Sequence, residues 1–103
     1  MKKVINGKIY NTETADYIAS WDNGMYPGDF GRCDEDLYKT KKGAFFIHGD
    51  GGAASRWSES CGGNGYCGGS GIEVLTKAQA LEWCESHDVD ADTIAEHFGV
   101  QEG

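Results

Sequence analysis

The sequence predicts an α+β domain, a small antiparallel sheet with one N-terminal helix and two C-terminal helices packed on a single face. Three observations carry that prediction. Asn6-Gly7 lies between Val4-Ile5 and Ile9-Tyr10, the turn chemistry and flanks of a tight hairpin. Leu37–Thr40 and Ala44–His48 flank Lys41-Lys42-Gly43, a second hairpin rich in strand formers. Thr76 and Gln79 stand at the spacing of a capping box ahead of an alanine-rich run.

Taken in order, the first hairpin covers positions near 4–10, at the edge of the sheet. Asn11, Thr12 or Thr14 then offers a helix cap, and Tyr17, Ile18 and Trp21 fall at helical spacing. Glu13 and Asp16 suit the positive end of a helix dipole, so a helix is expected up to Trp21. Asn23-Gly24 and Pro27-Gly28 break the chain. The second hairpin, near 37–48, forms the centre of the sheet. The 23 residues from Gly49 to Gly71 hold nine glycines and read as one long loop, with a short helical turn at 53–60 relieving its length. Positions 71–75 alternate as a strand. The helix after Thr76 puts Ala78, Leu81 and Cys84 on one face, with Trp83 flanking it. Asp90 caps a last helix over 91–98, and Gly99 ends it. No repeat or linker interrupts the pattern, so positions 1–103 make a single domain.

Charge narrows the function. Seventeen Asp and Glu against nine Lys and Arg give −8 and a pI near 4.6. Such a field repels nucleic acid and anionic membranes and draws in basic surfaces. From Ala78 to Gly103 there are seven acidic residues and no Lys or Arg, and from Glu13 to Asp36 seven more against Arg32 alone. These runs read either as solvated faces or as a docking surface for a basic, nucleic-acid-binding protein. In the second reading, helical carboxylates one turn apart, ~5–6 Å, match the spacing of neighbouring phosphates. The candidate partner-binding carboxylates are Glu13, Asp16, Asp34, Glu35, Asp36, Glu82, Glu85, Asp88 and Asp92. Trp57 and Tyr66, in polar, glycine-rich surroundings like Tyr26, are the candidate aromatic anchors.

Other chemistry is sparse. His48 and Asp50 alternate along an extended segment, so they share a face and offer an acid–base pair beside a backbone nest. A strand end followed by a glycine turn accounts for the same residues, and the spacing fits neither phosphate-binding glycine motif. Cys61 and Cys67 have five residues between them, wider than a usual zinc pair, and no second tight pair exists. They read as reduced thiols in a glycine-rich turn, although a small disulfide loop is geometrically allowed. Cys84 reads as a small core residue. Neither a metal nor a cofactor is expected. No apolar stretch follows Lys2-Lys3 as in a signal peptide, so the chain is expected in the cytoplasm.

The run Tyr10–Ala15, then Leu37–Gly52, then Gly69–Thr76 with the helix carrying Trp83, resembles a family of small uncharacterised bacterial and phage proteins. The resemblance spans most of the chain and brings no catalytic residues. It implies an accessory protein of a mobile element, working in a bacterial host. Small acidic proteins of that origin include anti-CRISPR inhibitors, an analogy of size, charge and setting. The function expected is a non-enzymatic inhibitor. It masks the basic nucleic-acid-binding surface of a host defence complex such as a CRISPR effector, as a nucleic-acid mimic that binds neither nucleic acid nor membrane. The alternative is a small enzyme or ligand-binding domain using His48, Asp50 and a cysteine.

Overall fold

The computed structural model describes residues 1–26, 28–63 and 65–99. Its order is β1 (Lys2–Ile5), β2 (Lys8–Asn11), β3 (Asp16–Asp22), β4 (Cys33–Lys39), β5 (Phe45–Gly51), β6 (Glu59–Ser60), β7 (Tyr66–Cys67), β8 (Gly69–Leu75), α1 (Lys77–Ser86) and α2 (Ala91–Phe98). Strands β3-β4-β5-β8 form one antiparallel sheet in that order, while β1-β2 and β6-β7 are separate ribbons.

The expected α+β fold with an N-terminal helix is corrected. The chain is mostly β, 41% strand against 19% helix, and residues 16–22 are a strand rather than a helix. The reason is local. Asn11 spends its side chain on an Asx turn, accepting from the Glu13 amide, instead of capping a helix. A bulge between Tyr17 and Ala19 inserts one residue. Tyr17 pairs with Tyr38 on one face, and Ile18 and Ala19 both pack into the core on the other. A bulge therefore replaces strict alternation with an apolar pattern that imitates helical spacing.

The first hairpin forms around Asn6 and Gly7, with φ of 52° and 77°, the left-handed pair a two-residue hairpin turn needs. Strand β4 starts at Cys33, so Asp34-Glu35-Asp36 lies inside the sheet. Strand β5 runs past His48 to Gly51, inside the stretch read as loop. Thr76 caps α1 with the full capping box, and Asp90 and Gly99 bound α2.

Ile18, Leu37, Phe45 and Ile47 meet Ala80, Trp83 and Cys84 of α1 and Phe98 of α2 on one side of the sheet. Each such large side chain contributes ~1.5–3 kcal/mol by burial. On the other side the N-terminal hairpin lays Tyr10 over Phe46 and Ile72. It covers the end of the sheet near the β4–β5 turn, and Asp34 and Asp50 lie at the other end.

The glycines of β5 and β8 make a bed for Trp57. A Cβ on Gly49 would overlap the Trp57 indole, and one on Gly71 would just touch it. The segment after Gly51 thus folds back over the sheet rather than looping into solvent.

Strands β6 and β7 pair through Glu59↔Cys67 and Ser60↔Tyr66, and Cys61 is bonded to Cys67 with Cα atoms 5.7 Å apart. The expectation that Cys61 and Cys67 are reduced thiols is corrected. Ribbon pairing brings the two within bridging range, while Cys33 and Cys84 remain free and buried. The bridge closes a small exposed loop, worth ~2 kcal/mol by chain entropy. Cys61→Ser/Cys67→Ser should lower the urea midpoint accordingly and leave the far-UV circular dichroism unchanged. Loss of cooperative unfolding would show instead that the bridge holds the core together.

Candidate partner-binding surface

The chain's cations are segregated. All seven lysines lie in the N-terminal hairpin, around the β4–β5 turn or at the head of α1. The sheet register brings Lys39, Lys41, Lys42 and Lys77 to one end, because Lys39 opposes Asp16 and Phe45, and Phe45 opposes Leu75 just before Lys77; Lys8 lines a cleft with Lys41 and Lys42 there. Both arginines are bound to carboxylates, Arg32 to Asp34 and Asp50, and Arg56 to Glu35 and Glu73. At the far end of the sheet Asp22, Asp34 and Asp50 stand opposite one another on adjacent strands. Arg32 draws Asp34 and Asp50 together, at 3.1 Å in the second case.

Between β3 and β4, at that acidic end, a loop carries three exposed apolar side chains. Tyr26 is 84% exposed, Phe30 74%, and Met25 is also exposed. The loop is nevertheless tied down. The Asn23 side chain donates to the Gly31 carbonyl at 2.7 Å and accepts from the Cys33 amide at 3.1 Å. The Gly24 amide donates to Asp22 Oδ1 and the Gly31 amide to Asp29 Oδ1. The Ala54 amide donates to the Phe30 carbonyl at 2.7 Å. The loop rests on Gly52, where a Cβ would lie 2.5 Å from the carbonyls of Asp29 and Phe30. Backbone fixed and side chains presented is the arrangement that lowers the ordering cost of binding. Tyr26 stood among the candidate aromatics of the sequence. Phe30 and Met25 were missed, and the signal available was two large apolar residues in a stretch without strand or helix periodicity.

Glu35 does not belong to such a surface, which corrects its expected role. It is 3% exposed and sits between the sheet and the segments above it. Its carboxylate accepts from Trp57 Nε1 at 2.9 Å, Trp83 Nε1 at 2.8 Å and Arg56 at 3.2 Å. Arg56 also lies 4.8 Å over the Trp57 ring. Trp57 is accordingly half-buried and engaged in the fold, not presented as an anchor. A buried carboxylate must find donors, and here two indoles and a guanidinium supply them.

The remaining carboxylates fall on several surfaces. Glu13 is exposed in the turn before β3, and Asp16 is exposed at the lysine end, bonded to Lys41 at 2.6 Å. That bond holds the Asp16 carboxyl below its usual range. Glu82, Glu85, Asp88 and Asp92 are exposed on the helical layer, across the sheet from Asp34 and Asp50. With no N-terminal helix, the pair of helical carboxylate rows expected to imitate phosphates does not form. Tyr66 is 66% exposed in the β6–β7 ribbon. Asp36 is half-buried opposite His48. Burial pushes its carboxyl up while the His48 charge pulls it back.

The alternative constellation is not assembled. His48 and Asp50 do share a face, but Cys33 is opposite Gly51 and buried on the other side of the sheet. Cys84 lies in the core, its thiol pushed up to about 11 by burial. Cys61 and Cys67 are bonded to each other. Among the described residues no group of three or more His, Cys, Asp or Glu is placed to hold a metal ion, and no helix is long and apolar enough to cross a membrane. No protein-family model, curated protein or solved structure matches the chain.

Proposed function

We propose that the protein is a non-enzymatic binding module that docks its acidic, aromatic end on a basic surface of another protein. The observation that carries this reading is the gathering of Lys39, Lys41, Lys42 and Lys77 at the opposite end of the sheet, which leaves Tyr26 and Phe30 exposed beside Asp22, Asp34 and Asp50, the last two bonded to Arg32. Aromatic anchors contribute affinity, and the carboxylates contribute orientation and on-rate. The narrower reading, an anti-CRISPR-like inhibitor from a mobile element acting in the bacterial cytoplasm, draws on the small size, the charge and the resemblance noted in the sequence. The bonded Cys61 and Cys67 weigh against a reducing compartment.

Tagged protein is incubated with nuclease-treated bacterial extract and compared with Tyr26→Ser/Phe30→Ser. Wild type should retain a basic, nucleic-acid-handling protein at low salt and lose it as salt rises, because screening weakens exposed charge contacts. The double variant should bind it at least tenfold more weakly, since two hot-spot aromatics each contribute ~1–2 kcal/mol or more. An unchanged captured set would overturn the assignment of this loop.

A further inference from the structure

At the opposite end of the sheet a cleft of ≈ 500 Å³ opens between the N-terminal hairpin and the β4–β5 turn. Its volume lies within the ~300–1,000 Å³ range of small-molecule sites. Tyr10, Ala15 and Ala44 contribute apolar lining, and Lys8, Lys41 and Lys42 line it as well. Three ammonium groups around one cleft are unusual in a chain of net charge −8. Lys41 is held by Asp16, with both side chains exposed. Among the described residues neither Lys8 nor Lys42 has a carboxylate within ion-pair distance. The cleft exists because the hairpin touches the sheet through Tyr10 and Ile5, while its Gly7–Lys8 end reaches over toward Thr40 and Lys42. Lysines and apolar side chains lining one cleft are the two halves of a site for an amphipathic anion.

We infer that this cleft binds a small organic anion, a carboxylate or phosphate joined to an apolar body, whose head group is held by Lys8, Lys41 and Lys42. The apolar part lies against Tyr10, Ala15 and Ala44. This site is independent of the proposed docking surface, which occupies the other end of the molecule.

Titration calorimetry with decanoate, decyl phosphate, decanol and inorganic phosphate tests both halves, using the full chain and Lys8→Gln/Lys42→Gln. These are exposed positions, so the variant should keep its fold, which circular dichroism checks. At least one decyl anion should bind about tenfold or more tightly than decanol, and the variant should lose about tenfold in affinity, one power of ten for the two lost charges. Whichever anion binds better identifies the head group. Equal binding of decanol and the anions would overturn the lysine role, as would unchanged affinity in the folded variant. Inorganic phosphate binding as tightly as decyl phosphate would overturn the apolar role. No binding of either decyl anion would overturn the site itself. Ala44→Leu, which adds volume at the cleft wall, should weaken the decyl anions and leave inorganic phosphate unaffected.

Discussion

Gly49→Ala should unfold the protein at much lower denaturant than Gly71→Ala, the other glycine beneath the Trp57 ring. The added Cβ would overlap the Trp57 indole, and the backbone of β5 is fixed by ladders to β4 on one side and β8 on the other, so the indole must leave. Overpacking costs ~1–3 kcal/mol. Leaving also breaks the 2.9 Å hydrogen bond from Trp57 to Glu35, a bond to a charged group worth ~1.5–3 kcal/mol. The sum is about 2.5–6 kcal/mol, a large share of the ~5–15 kcal/mol that holds a domain folded. At ~5 °C per kcal/mol for a chain of this size, the Tm should fall by ~12–30 °C. Gly71→Ala is the control. Its Cβ would stand 3.4 Å from the same ring, an ordinary contact, and its effect should stay within ~1 kcal/mol. If the indole is the whole cause, Gly49→Ala/Trp57→Ala should be about as unstable as Trp57→Ala alone, because contacting residues are not additive. Strictly additive losses would mean that Gly49 is required for some other reason.

The same contact shows where the sequence was legible and where it was not. Asn6-Gly7 and the Thr76/Gln79 pair are short-range devices: each specifies its turn or cap from its own chemistry, and each is found where it reads. The glycines at positions 49 and 71 are long-range devices. Their purpose depends on an indole eight residues beyond Gly49 in the chain and across a fold-back, and from local pattern alone they read as a loop. Residues 16–22 failed for a different reason, the bulge that shifts the apolar period. Asp34-Glu35-Asp36 looked like a surface run because charged residues are depleted in strands. Alternation places Asp34 and Asp36 on the face shared with His48 and Asp50 and turns Glu35 inward, and nothing local announces that two tryptophan N–H groups wait there. On the proposed docking surface, Tyr26 and the acidic residues were visible by composition. The gathering of lysines at one end was not, because it appears only when the hairpin folds Lys8 beside Lys41 and Lys42 and the sheet register sets Lys77 at the same end.

Glu35→Gln should be the most damaging isosteric change on β4. The carboxylate offers two acceptor oxygens to the Trp57 and Trp83 indoles and a third contact to Arg56. An amide keeps one oxygen and turns the other into a donor. In either orientation its NH₂ faces an indole N–H, so one buried donor loses its partner, at ~1–3 kcal/mol. Arg56 also loses a buried countercharge and retains only Glu73. Arg56 is 47% exposed, so solvent screens the charge left behind, and the unpaired indole sets the loss, ~1–3 kcal/mol in urea unfolding. The same reasoning separates this account from a general intolerance of change at position 35. With Trp83→Phe as background, the amide can turn its NH₂ toward the missing indole and its oxygen toward Trp57. Glu35→Gln should then cost ~1–2 kcal/mol less than in wild type, a coupling within the range found for residues of one network. An equal cost in both backgrounds would show that Trp83 does not share the carboxylate. A reduced cost would mean that β4, the segment over the glycine bed and α1 are held at one point. In that case Trp57 is occupied by the fold, and the proposed docking falls to exposed aromatics such as Tyr26 and Phe30.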